Sequence, residues 1–220
     1  MPGDRADSVG AADPGAAGPG VAVRHLDWPG CFNVRDLGGL PTHDGGSTAW
    51  GAIVRGDAPD RLTAEGWSAL AAAGIRTVID LRHECGDAGR PVVPVPLDDP
   101  GDTEFWRRWG GGLDCTPLYY GAFLETFPSR VGRVIAAVAD APAGGVLVHC
   151  EGGRDRTGLV VMVLLALVGV RAEAIAADYA LSTERLEPVW AELGVGDQTG
   201  KIAAFLAPRC NGAGGRRCRA

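Results

Sequence analysis

The chain has 220 residues, 46% of them hydrophobic and 22% charged, enough to fill one sizeable core and too few for two full domains. A formal net charge of -6 gives no general reason to expect nucleic acid or an anionic membrane as a partner, so any anion site has to be local. The six cysteines show no CxxC or CxxH spacing, which argues against a zinc site or a disulfide framework and fits a reducing, cytoplasmic setting.

The chain is rich in glycine (34) and proline (15), and both ends draw heavily on them. Residues 1–20 and 207–220 are therefore expected to be flexible tails around one domain at 21–206. No apolar leader core stands in the first twenty residues, and the longest apolar run, 159–170, is too short for a bilayer. No stable membrane insertion is expected, while export by a nonclassical route stays open.

In chain order, residues 21–26 can form a short strand, followed by a turn-rich ordered loop through Gly39 and a hairpin turn at Asp44-Gly45-Gly46. Thr63 can cap a helix that runs to Ala73 and stops at Gly74. A buried-strand run follows at 77–81, then an edge strand at 92–97 interrupted by Pro94. Residues 98–116 lack a clean period and suit a surface loop over a cleft. Helical spacing from 118 to 139 is divided by Pro128. Val146-Leu147-Val148-His149 is the central strand, and a strongly apolar helix runs from about Arg156 to Gly169. Helices at 172–181 and 184–193, with Ser182 as N-cap of the second, and another at 198–206 complete the reading.

The chemistry centres on the loop between that strand and that helix. Cys150 and Arg156 stand at the two ends of a C-x5-R segment, Cys150-Glu151-Gly152-Gly153-Arg154-Asp155-Arg156, followed by Thr157-Gly158. Successive N–H groups of such a loop can converge on an oxyanion, and the following helix adds its positive end. Gly152 and Gly153 permit the curvature, and the planar fork of Arg156 suits two phosphate oxygens. The same donors favour a thiolate nucleophile. Attack on a phosphate monoester would give a phosphocysteine that water then hydrolyses. Asp155 is the nearest acid for the leaving group, with Asp80, Asp36, Asp57, Asp99 and Asp102 as others whose loops could reach the mouth. Arg35, Arg55 and Arg82 can extend the anion pocket, whereas strand alternation turns His149 away from Cys150.

The stretch His149-Cys150-Glu151-Gly152-Gly153-Arg154-Asp155-Arg156-Thr157-Gly158 resembles the HCxxGKDRTG signature of the bacterial atypical protein tyrosine phosphatases. Phe32-Asn33-Val34-Arg35-Asp36-Leu37-Gly38-Gly39, the Arg55 segment and Gly74 through Arg82 follow in that family's order. The resemblance implies an α/β phosphatase fold with a central, mostly parallel sheet flanked by helices. It also implies Cys150 as nucleophile, Arg156 on the phosphate and Asp155 as acid, with Glu151, Gly152, Gly153, Arg154, Thr157, Arg55, Arg82 and Asp80 lining the substrate site. It implies no metal or cofactor. The implied substrates are phosphotyrosine in proteins or small phosphate monoesters, with phosphoserine, phosphothreonine and phosphoinositides accepted by some members.

Arg154 departs from the signature lysine, and Glu151 puts an acid beside the nucleophile, which disfavours highly anionic lipid headgroups. Two further readings stay open: a phosphate-recognising pseudophosphatase, and a rhodanese-like sulfurtransferase using the same cysteine. Cys85 stands as either a redox partner of Cys150 or a separate thiol.

Overall fold

A computed structural model describes residues 24–83 and 92–192, with single positions at 194, 200, 203, 204 and 207. The expected tail at 1–20, nearly all of 207–220, most of the expected helix at 198–206, and Cys85 lie outside the described residues.

Five strands form one sheet in the order β1-β2-β5-β3-β4: β1 (Arg35–Asp36), β2 (Ile53–Gly56), β3 (Ile75–Asp80), β4 (Val93–Pro94) and β5 (Gly145–His149). Only β1 runs antiparallel to its neighbour, and β2, β5, β3 and β4 are mutually parallel. The sheet gives the expected mixed α/β architecture. β5 is buried along its whole length, as its unbroken Val-Leu-Val run requires of a central parallel strand. Pro94 cannot donate to a ladder, and β4 accordingly is a two-residue edge strand. Of the strand expected at 21–26, residues 21–23 lie outside the described residues, and His25 makes a single antiparallel bridge to Arg35.

Helices cover the sheet: α1 (Ala64–Ala72), α2 (Thr103–Trp109), α3 (Tyr120–Thr126), α4 (Pro128–Ala139), α5 (Asp155–Leu167) and α6 (Ala172–Glu192). Alternation along β5 divides the core. Val146 and Val148 join Ile79, Phe123, Val134 and Leu159 in one cluster, while Leu147 joins Trp28, Val54, Leu70 and Val78 in the other. Thr63 caps α1 by accepting the Gly66 N–H at 3.2 Å, and Gly74, with φ +78, ends that turn.

Two expectations are corrected. The segment 98–116 is not a plain loop, because α2 forms within it. Phe105 and Trp106 stack edge-on against Phe123 and Tyr119, and Asp102 pairs with Arg130. Ser182 does not start a helix, because α6 is continuous from Ala172 to Glu192 with Pro188 inside it. The Ser182 hydroxyl instead accepts from Arg35 Nη2 at 2.9 Å in the interior.

Candidate active site

Cys150 follows the last residue of β5 and is 3% exposed. From there to α5 the backbone carbonyls are bound from the scaffold side. Ala58 N donates to Glu151 O at 2.9 Å, Asn33 Nδ2 to Gly152 O at 2.8 Å, Arg55 Nη2 to Gly153 O at 2.7 Å, and Gly158 N to Arg154 O at 2.7 Å. Among the described residues, the N–H groups of 151–154 meet no acceptor. A peptide unit whose carbonyl is held on one side presents its N–H to the other, which makes the loop a nest of donors for an anion. Gly153 has φ +64, and a Cβ there would stand 2.2 Å from Gly56 O, so this position requires glycine.

The scaffold beneath is a buried charge cluster. Asp178, on α6, accepts from Arg24 Nη1 at 2.9 Å, Arg35 Nε at 3.0 Å and Arg55 Nη1 at 2.7 Å. Arg35 also donates to Asn33 Oδ1 at 2.6 Å, which fixes the amide that binds Gly152. Burial opposes the charge of Asp178, but Arg55 and Arg35 more than offset it and hold the carboxyl well below its ordinary range. Burial and the neighbouring Arg55 weaken Arg35 as a base, against the opposing pull of Asp178. Three cations on one carboxylate leave excess positive charge directly behind the loop. The cluster therefore favours an anion on the loop's other side.

Arg156, in the first turn of α5, lies 3.4 Å from Asp98 Oδ1. Burial opposes its charge, yet Cys150 and Asp98 raise its affinity for the proton. The Thr157 hydroxyl beside it is buried and meets no hydrogen-bond partner among the described residues. His149 turns its Nδ1 to Cys150 O at 3.1 Å, in keeping with strand alternation, and burial pushes its basicity down although Asp80 opposes this.

Asp155 opens α5, where a negative charge meets the helix's positive end. Its carboxylate accepts from the Tyr179 hydroxyl at 3.0 Å and Arg154 Nε at 3.1 Å, and its carbonyl accepts from the Tyr120 hydroxyl at 2.7 Å. Both tyrosines come this close because residue 158 is glycine: a Cβ there would lie 2.6 Å from Tyr120 Oη. Arg154 also stacks on Trp190, its Cζ 5.3 Å from the ring centre.

On the far side, Arg82 is consumed by carboxylates. Its Nε meets Asp80 at 3.0 Å, Nη1 meets Asp60 at 2.5 Å and Glu151 at 3.1 Å, and Nη2 meets Asp60 at 3.1 Å and Asp80 at 2.8 Å.

A family model described as "Tyrosine phosphatase family" matches residues 26–210. The chain is 30% identical over 209 residues to the triple specificity protein phosphatase PtpB of Mycobacterium tuberculosis, covering 79% of this chain and 74% of that protein. It belongs to the tyrosine phosphatase family. A tyrosine-protein phosphatase of Nostoc commune is 31% identical over 151 residues, 62% of this chain and 50% of that protein, so the chain spans half the length of that relative. The solved structure of TpbA from P. aeruginosa aligns at 19% identity with a TM-score of 0.35, over 74% of this chain and 83% of that one.

As a phosphatase, the protein gathers Cys150, Glu151, Gly152, Gly153, Arg154, Asp155, Arg156 and Thr157 on one loop and helix start. Arg55 stands behind that loop, 1% exposed and bonded to its backbone, and Asp80 is buried against Arg82. Sequence reasoning missed Asp178, Tyr179 and Asp98 in this phosphatase. Asp178 and Ser182 carried a signal, since polar residues four apart on the same helix face as buried Leu186 have to be paired inside. Asp98 carried another, standing just beyond the carboxyl end of the edge strand. No helix among the described residues is long and apolar enough to cross a membrane.

Proposed function

We propose that this phosphatase hydrolyses phosphate monoesters through a phosphocysteine on Cys150, with protein phosphotyrosine as its principal substrate. The observation that carries this reading is the loop's orientation. Its carbonyls are bound by the scaffold, its N–H groups are unclaimed, and a buried thiol and Arg156 close its two ends.

In this mechanism the three nonbridging oxygens lie on the N–H groups of the loop and on the Arg156 fork. The Cys150 thiolate attacks phosphorus in line, the S–P bond forms, and the P–O bond to the leaving group breaks. A carboxylic acid gives its proton to the departing oxygen. Asp155 fills that role in this reading, oriented by Tyr179 and Arg154. Asp98 is the second candidate, because it faces Arg156. Water then attacks the phosphocysteine and releases orthophosphate. The name of the PtpB relative, a triple specificity protein phosphatase, supports a substrate range wider than one kind of phosphorylated residue, and phosphoserine and phosphothreonine are included in this reading. Arg55, Arg35 and Asn33 hold the loop, and the buried positive charge of the two arginines stabilises the bound dianion.

The test is phosphate release from a phosphotyrosine peptide by the wild type and by Cys150→Ser. Wild-type turnover with a loss of ~1,000-fold or more in the variant is expected. Unchanged release by the variant would overturn the mechanism. Tight peptide capture without release by the wild type would make it a binding protein, and persulfide formation on Cys150 without phosphate release would make it a sulfurtransferase.

A further inference from the structure

Arginine presents five N–H donors. In Arg82 all of them are taken by Asp60, Asp80 and Glu151, so a guanidinium that stands beside the phosphate loop offers nothing to a second anion. Two of the three carboxylates reach the surface, the side chain of Glu151 being 74% exposed and that of Asp60 38%. Asp80 is buried and serves Arg82 from below. Three carboxylates against one guanidinium leave two negative charges on this wall. Glu151 is bonded directly to Cys150 in the chain, so the wall adjoins the nucleophile.

We infer that Asp60 and Glu151 are specificity-determining residues that restrict this site to monoesters with no second phosphate near the scissile one. The inference rests on the phosphatase reading above and adds the substrate class. The loop and Arg156 take one dianion. A second dianion beside it meets the two-charge wall instead of a free arginine. At separations of about 10 Å and water-like screening, that repulsion is worth a bias of roughly tenfold at low salt and little at high salt. Removing Asp60 lowers the negative charge and frees Arg82 donors, so both effects act in the same direction.

The experiment compares kcat/KM for two peptides, one with a single phosphotyrosine and one with a non-hydrolysable phosphonate on the neighbouring residue. The wild type should hydrolyse the second peptide roughly tenfold less well at low salt, with the gap closing at ~0.5 M salt. Asp60→Asn should leave single-phosphotyrosine hydrolysis within about twofold of wild type and bring the ratio of the two peptides toward one. Glu151→Gln, at a more exposed position, should move the same ratio in the same direction. Equal hydrolysis of both peptides by the wild type, or a ratio that neither variant moves, overturns the inference while leaving the phosphatase reading intact. Absence of phosphate release from both peptides sinks that reading instead.

Discussion

Arg55 Nη2 stands 2.7 Å from the carbonyl oxygen of Gly153. Its other terminal nitrogen, Nη1, lies 2.7 Å from Asp178, so one planar fork joins the Cys150–Arg156 loop to α6. Lysine keeps the charge but lacks the rigid planar fork that places separate donors on the two partners. A lost charge-assisted hydrogen bond costs about 1.5–3 kcal/mol. Arg55→Lys should therefore lower kcat/KM by about 10- to 100-fold, at temperatures where circular dichroism shows the protein still folded. Activity at wild-type level in a folded variant would remove Arg55 from the positioning of the loop.

Gly153→Ala tests the loop backbone itself. A side chain in the left-handed region costs of order 1–3 kcal/mol, and here the added carbon also collides with Gly56 O. Lower thermal stability and near-complete loss of phosphate release are expected together. Gly152→Ala is the control, since a Cβ at that position meets only Leu186 at an ordinary 3.5 Å.

Tyr179→Phe removes the hydroxyl on Asp155 and keeps the ring against Gly158. The stability change should be about 0.5–1.5 kcal/mol. If Tyr179 orients the proton donor, turnover of alkyl phosphates and phosphotyrosine should fall more than turnover of an activated aryl phosphate. Asp155→Asn should show the same pattern more strongly. A pattern seen with Asp98→Asn and absent from Asp155→Asn would reassign the acid to Asp98.

Acid should weaken the fold through Asp178. Arg55 and Arg35 hold its carboxyl below the ordinary value of 3.8, outweighing its burial. A depressed carboxyl contributes stability above its unfolded value, and that contribution is lost as pH falls through the folded one. Urea denaturation should thus show a steep fall in stability as pH drops below about 4. Asp178→Asn leaves Arg24, Arg35 and Arg55 without their anion, a loss of about 3–5 kcal/mol near neutrality. The same variant should flatten the acid limb. An unchanged acid limb would assign acid sensitivity to other carboxylates.

The strand, loop and helix around Cys150 were legible because their signals are local: an apolar run, glycines, and an arginine at fixed spacing. The cap at Thr63 and the division at Pro128 were legible for the same reason. The loop's support was hidden because hydrogen-bond partners distant in sequence leave no period. Arg35, Arg55 and Arg82 read alike as anion-binding arginines, yet their carboxylate partners decide what each does. Asp178 turns the first two into scaffold, and Asp60, Asp80 and Glu151 occupy the third. Trp106 and Trp109 pack, partly buried, against the interior cluster.

The bonds that shape the loop also set when it can form. Asn33 and Gly152 are 119 residues apart, and Arg55 and Gly153 are 98 apart. Such contacts are closed late, after the sheet has brought β1, β2 and β5 together. During refolding, secondary structure and tryptophan burial should therefore recover before phosphate release does. A nascent chain would carry the Cys150 thiol without its ring of donors until the domain around it is complete.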